Sequence, residues 1–156
     1  MPKPVPVRAG EMLAQAFKTD VGDRVFFAEG SAALGTRARV ALEAQASWLK
    51  RHSSLRVVIE GYADDPGNPE ANAALAQARA EAVMERLASL GVPTDRMRVA
   101  VHGRTSQAVV CADQICAAPN RRVVTRIVVP AGPAATPESM SDTAEPGIRP
   151  ALRRLF

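Results

Sequence analysis

Aromatic side chains are scarce in this chain, 4% of 156 residues with a single Trp and a single Tyr, so a core has to be assembled mainly from Ala, Val and Leu. Long apolar runs are missing as well. Nothing approaches the roughly eighteen consecutive apolar residues of a membrane-crossing helix, so no membrane span is expected in this chain. Charge of one sign does not dominate: the net charge is +4, with arginines and acids interspersed. That pattern reads as a mixed, solvated surface and not as a nucleic-acid patch. Histidine is limited to His52 and His102, and neither stands at ligand spacing from the two cysteines, so no metal site and no cofactor are expected. No nucleophile motif is present. Asp64 and Asp65 with His102 supply acid–base groups on paper, but nothing in the sequence orients the histidine, and a non-enzymatic protein is expected. The opening Met-Pro-Lys-Pro-Val-Pro lacks a charged start followed by an apolar stretch. It is not a signal peptide as written, and an export signal is expected to have been removed or to lie outside this chain.

The two cysteines, Cys111 and Cys116, sit five apart in a polar loop. A disulfide, free thiols and a metal or redox pair are the options. The disulfide is favoured because no metal partner and no adjacent base accompany them, and it would imply an oxidising compartment.

What is present has a clear order. Hydrophobic content of 47% and 23% charged residues are ordinary for one globular domain. Residues 1–22 are Pro-rich and then weakly helical around Glu11–Phe17, a lead-in to a domain spanning residues 23–130. Within it, Arg24–Phe27 reads as a strand broken by Gly30-Ser31. Residues 35–51 carry Ala38, Ala41, Leu42, Gln45, Ala46 and Leu49 at helical spacing, beside Trp48. Leu55, Val57 and Ile59 alternate with Arg56, Val58 and Glu60 as a strand. A second helix has Asn68 to cap it, Pro69 in its first turn and Glu70 at its positive end. Leu75, Ala78, Ala82, Val83, Leu87 and Leu90 form its apolar face, and Gly91 and Pro93 close it. Strands at Arg98–His102 and Arg122–Val129 follow. From Pro130 onward five prolines fall in 27 residues, and residues 131–156 are expected to be a disordered tail. The order strand, helix, strand, helix, strand, strand predicts an α/β two-layer sandwich. Both helices should lie on one face of a small mixed sheet.

One stretch carries the chemistry. Gly61-Tyr62-Ala63-Asp64 ends a strand, ten residues separate Asp64 from Leu75, and Arg79-Ala80 follows on the second helix. Loops at strand ends are where binding groups sit. A guanidinium fork suits a carboxylate, and an aspartate suits an ammonium, so the pair could hold the two ends of an α-amino acid. The spacing is equally compatible with a turn aspartate and a surface arginine.

The segment from Arg24 to Val129 resembles the OmpA-like domains, and within them the peptidoglycan-associated lipoproteins. The resemblance rests on Gly61-Tyr62-Ala63-Asp64, ten residues, Leu75-Ala76, Arg79-Ala80, Val83 and Leu87. It is extended by Val25-Phe26-Phe27 with Ser31 and Leu34, by Gln45–Leu49 and by Asn120-Arg121-Arg122-Val123. It implies non-covalent binding of peptidoglycan through the diaminopimelate of the stem peptide, in the periplasm and in association with the outer membrane, tethering the cell envelope to the cell wall. By motif position Asp64 would meet the ammonium and Arg79 the carboxylate. Asn120 and Arg121 would border the pocket, and Asn72 would brace the loop. Envelope-protein partners are left open. The chain departs from the family at Tyr62 for histidine, Ala76 for serine or another small polar residue, Gly30 for Asp or Asn, and Pro66 for the arginine frequent in the lipoproteins. It also lacks the lipidated cysteine of the lipoproteins. The alternative is therefore an interaction module that keeps the fold and has lost the ligand.

Overall fold

The computed structural model describes residues 6–103 and 118–129. Helix α1 (Val7–Ala16) leads through one π-helical turn, Phe17–Val21, into strand β1 (Arg24–Phe26). Helix α2 (Thr36–Arg51), strand β2 (Val57–Tyr62), helix α3 (Pro69–Ser89), strand β3 (Met97–Gly103) and strand β4 (Arg122–Ile127) follow. The four strands form one mixed sheet in the order β1-β4-β2-β3. Strand β4 is antiparallel to β1, pairing Arg24 with Val124, and antiparallel to β2, pairing Val57 with Ile127. Strands β2 and β3 run parallel, Val57 opposite Met97, and α3 makes the crossover that a parallel pair requires.

The predicted two-layer sandwich is what forms. Val25, Val57, Ile59, Val123 and Ile127 turn one face of the sheet onto Leu42, Ala46 and Leu49 of α2 and Ala80, Val83 and Leu87 of α3, in one buried cluster. The cysteines Cys111 and Cys116 and the tail 131–156 lie outside the described residues. The lead-in is more ordered than its composition suggests. Phe17 is 1% exposed, and its ring sits 5.0 Å from that of Trp48. In a chain this poor in aromatics, that contact puts two of the largest side chains into one wall of the core.

Local chemistry sets the boundaries. The Asn68 Oδ1 accepts a hydrogen bond from the Ala71 amide at 2.7 Å and caps α3. Strand β2 starts two residues later than the alternation suggests, because the Leu55 amide donates to the His52 carbonyl at 3.1 Å, which spends Leu55 on the turn out of α2. Arg96, unremarkable in the sequence, completes that turn. Its Nε donates to the Leu55 carbonyl at 2.8 Å, and one terminal nitrogen to the carbonyls of Leu49 and His52 at 2.9 and 2.8 Å. A cation thus satisfies the negative end of α2. Gly61 lets α3 approach β2. A Cβ built there would overlap the Ala76 carbonyl oxygen and lie 3.1 Å from the Ala80 Cβ.

Candidate ligand-binding site

The chain leaves β2 at Tyr62 with Ala63, Asp64 and Asp65, and the four expected ligand-binding residues, Asp64, Arg79, Asn120 and Arg121, gather at this end of the sheet. Successive side chains of an extended segment point in opposite directions, so the two aspartates take different partners. Asp64, 8% exposed, accepts a hydrogen bond from the Asn120 side-chain nitrogen at 3.0 Å. Asn120 and Arg121 stand just before β4. Arg121 is tied to the first strand twice: its Nε donates to the Phe27 carbonyl at 3.2 Å, and its carbonyl accepts from the Phe27 amide at 2.9 Å. The last-strand motif and the aspartate motif, 56 residues apart, therefore share one pocket wall.

Arg79 reaches the same place from mid-α3, and its side-chain partner there is Asp65. It is completely buried and grips Asp65 with both terminal nitrogens, at 2.9 Å to Oδ1 and 3.0 Å to Oδ2. Its remaining donors go to backbone carbonyls: Nε to Ser31 at 2.8 Å, and the terminal nitrogens to Tyr62 at 3.4 Å and Ala28 at 3.0 Å. A guanidinium has five N–H groups, and here every one is engaged. Its carbon also lies 5.4 Å from the centroid of the Phe27 ring. In this structure an internal carboxylate, that of Asp65, occupies the fork. The Asp-Asp-Pro-Gly stretch reads as a solvated turn, yet Asp65 is only 3% exposed. One signal was available in the sequence. Pro66 biases the residue before it toward extended backbone, which sets Asp64 and Asp65 on opposite sides.

Asp65 is held from every direction. The Gly30 amide donates to its Oδ2 at 2.6 Å. Its own amide donates to the Asn72 Oδ1 at 2.9 Å, and its carbonyl accepts from the Asn72 Nδ2 at 3.1 Å, so Asn72 is the brace that its position implied. Burial works to raise the Asp65 pKa. The hydrogen bonds from Arg79 and Gly30, with the charges of Arg79 and Arg121, outweigh it and hold the carboxyl below its ordinary value of 3.8.

The departures at 30, 62 and 76 find physical explanations. Gly30 has φ 67°, in the left-handed region that glycine adopts freely and Asn and Asp tolerate better than other residues. Ala76 is fully buried beneath Gly61. The Tyr62 ring lies on the opposite face of the sheet from α3, stacked on His102 at 4.8 Å with the Arg122 guanidinium 3.8 Å from its centroid. Burial, then the Glu60 charge, raises the Tyr62 pKa. His102 is engaged on that face too, its Nε2 3.5 Å from the Glu60 carboxylate.

A mixed four-stranded sheet with a buried acid–base cluster at the end of β2 defines an α/β domain of the binding kind, its polar groups gathered where strand ends meet loops. The chain belongs to the OmpA family, whose model matches residues 26–121. It is 44% identical over 112 residues to the peptidoglycan-associated lipoprotein of Brucella melitensis, covering 72% of this chain and 67% of that protein. The lipoprotein of the same description from Agrobacterium fabrum is 41% identical over 111 residues, 71% of this chain and 63% of that one. The crystal structure of the peptidoglycan-associated lipoprotein from Burkholderia pseudomallei superposes with a TM-score of 0.67 at 29% identity, covering 71% of this chain and 96% of that one. The C-terminal domain of Helicobacter pylori MotB shares the fold, with a TM-score of 0.64 at 21% identity, over 82% of this chain and 98% of that domain.

Proposed function

We propose that this chain binds peptidoglycan non-covalently in the periplasm, tethering the cell envelope to the cell wall, and that it recognises the diaminopimelate of the stem peptide. Asp64, steadied by Asn120, receives the ammonium of the free amino-acid end. Arg79 receives its carboxylate, and Arg121 borders the pocket. The observation that carries this reading is the convergence of Asp64, Arg79, Asn120 and Arg121 at one end of the sheet, from segments that are separate in sequence. The kinship with peptidoglycan-associated lipoproteins at 44% identity supports the polymer as ligand. The domain acts as a binder and not as a hydrolase. Incubation with labelled peptidoglycan should release no soluble fragments.

A second reading, an interaction module that has lost the ligand, is favoured by one observation: the donors of Arg79 are already filled. Sedimentation with purified sacculi separates the two. The wild-type chain should pellet with sacculi, and Asp64→Ala should bind roughly tenfold to hundredfold more weakly. One charge-assisted hydrogen-bonding end is worth on the order of 1.5–3 kcal/mol. Wild-type protein left in the supernatant would turn the conclusion to the second reading.

A further inference from the structure

The residues around Arg79 differ in what they can give up. The Ser31, Tyr62 and Ala28 acceptors are main-chain carbonyls. Among the described residues, Asp65 is the side chain that hydrogen-bonds the guanidinium, and its carboxylate can rotate about its own side-chain bonds. Its backbone does not have to follow, because Asn72 holds the Asp65 amide and carbonyl independently of the carboxylate. An open depression of about 170 Å³ has Gly30, Asp65, Pro66, Asn72 and Leu75 in its lining. The carboxylate, the Arg79 fork and the Gly30 amide together form a filled carboxylate seat with open space beside it.

We propose that Asp65 is an internal stand-in for the ligand's carboxylate, a latch that occupies the Arg79–Gly30 seat and must swing toward the neighbouring depression before a ligand carboxylate can enter. This rests on the binding reading given above and adds a residue that tunes it. Asp65 competes for the seat, so it lowers affinity while keeping the buried guanidinium paired when no ligand is bound. Binding then exchanges one carboxylate for another at Arg79 and keeps the guanidinium paired in both states. The differential affinity sits in the contacts the incoming carboxylate does not share with Asp65, those of the ammonium with Asp64.

The test is calorimetric titration of a soluble muropeptide carrying a diaminopimelate tripeptide into the wild type, Asp65→Asn and Asp64→Ala chains. The latch predicts that Asp65→Asn binds about tenfold more tightly than wild type, and that Asp64→Ala loses binding. A folded Asp65→Asn chain that binds as wild type does, or more weakly, overturns the latch and leaves the binding reading standing. Binding by Asp65→Asn where the wild type shows none supports it. Absence of muropeptide and sacculus binding in both chains overturns the binding reading and the latch with it. Should Asp65→Asn fail to fold, the wild type alone decides. The Asp65 carboxyl carbon is titrated by NMR with and without saturating muropeptide. A pKa that moves up toward the ordinary aspartate range on binding supports displacement, and an unchanged pKa overturns it.

Discussion

Arg79 is completely buried, and all five of its guanidinium N–H groups are hydrogen-bonded. Substitutions there act on folding before they act on binding. Arg79→Ala strands the Asp65 carboxylate in the interior, and breaking a buried pair from one side costs about 3–5 kcal/mol. The variant should melt well below wild type by circular dichroism, so weak sacculus binding by Arg79→Ala says little about the ligand. Asp64→Ala is the cleaner probe. Acid gives a second handle on the pair. The folded-state pKa of Asp65 lies below its ordinary value of 3.8. Its stabilisation is therefore complete above that value and is lost as pH falls through the folded pKa. Wild type should be more stable than Asp65→Asn at neutral pH, and the gap between their melting temperatures should close below about pH 4. Asp64 and Arg79 were legible as candidate residues because their types and spacing match a family motif. Asp65 was not, because propensity sees two acids before Pro-Gly as a turn, and only the tertiary fold brings a helix arginine over one of them.

The elements were read correctly wherever a local signal defines them. The Asn68 cap, Pro69 and the apolar stripe fixed α3 to within a residue or so, and the alternation around Val57 and Ile59 fixed a strand with an offset that helix exit chemistry explains. Features created by two elements at once were not legible. Nothing near Arg96 in the sequence says that it reaches back more than forty residues to the end of α2. That contact has a measurable weight. Burial lowers the Arg96 pKa, with Asp95 opposing, yet the group stays charged at any physiological pH, so its removal takes charged donors away from the carbonyls of Leu49, His52 and Leu55. Arg96→Ala should destabilise the domain by about 2–3 kcal/mol, the scale of lost hydrogen bonds to a charged donor, read as a shifted urea midpoint at an unchanged slope. Gly61 belongs to the same class. Its motif position is visible, but the reason for glycine is the backbone of α3 lying against it.

At the scale of the whole molecule, residues 131–156 are proposed to be dispensable. A chain ending at Pro130 retains every described element and should melt within a few degrees of full length while still pelleting with sacculi. A large fall in melting temperature would show that the tail packs on the domain. The sheet order adds a different consequence. Strand β4 is the last described in sequence but lies between β1 and β2, and among the described residues it is the one strand paired with β1. The register joins Arg24 to Val124 across nearly the whole domain, so the pairing that closes the sheet is long-range and slow to form. A chain ending at Asn120 should therefore show no cooperative melting. A nascent chain emerging N-terminus first therefore cannot complete its sheet until the final strand has been made.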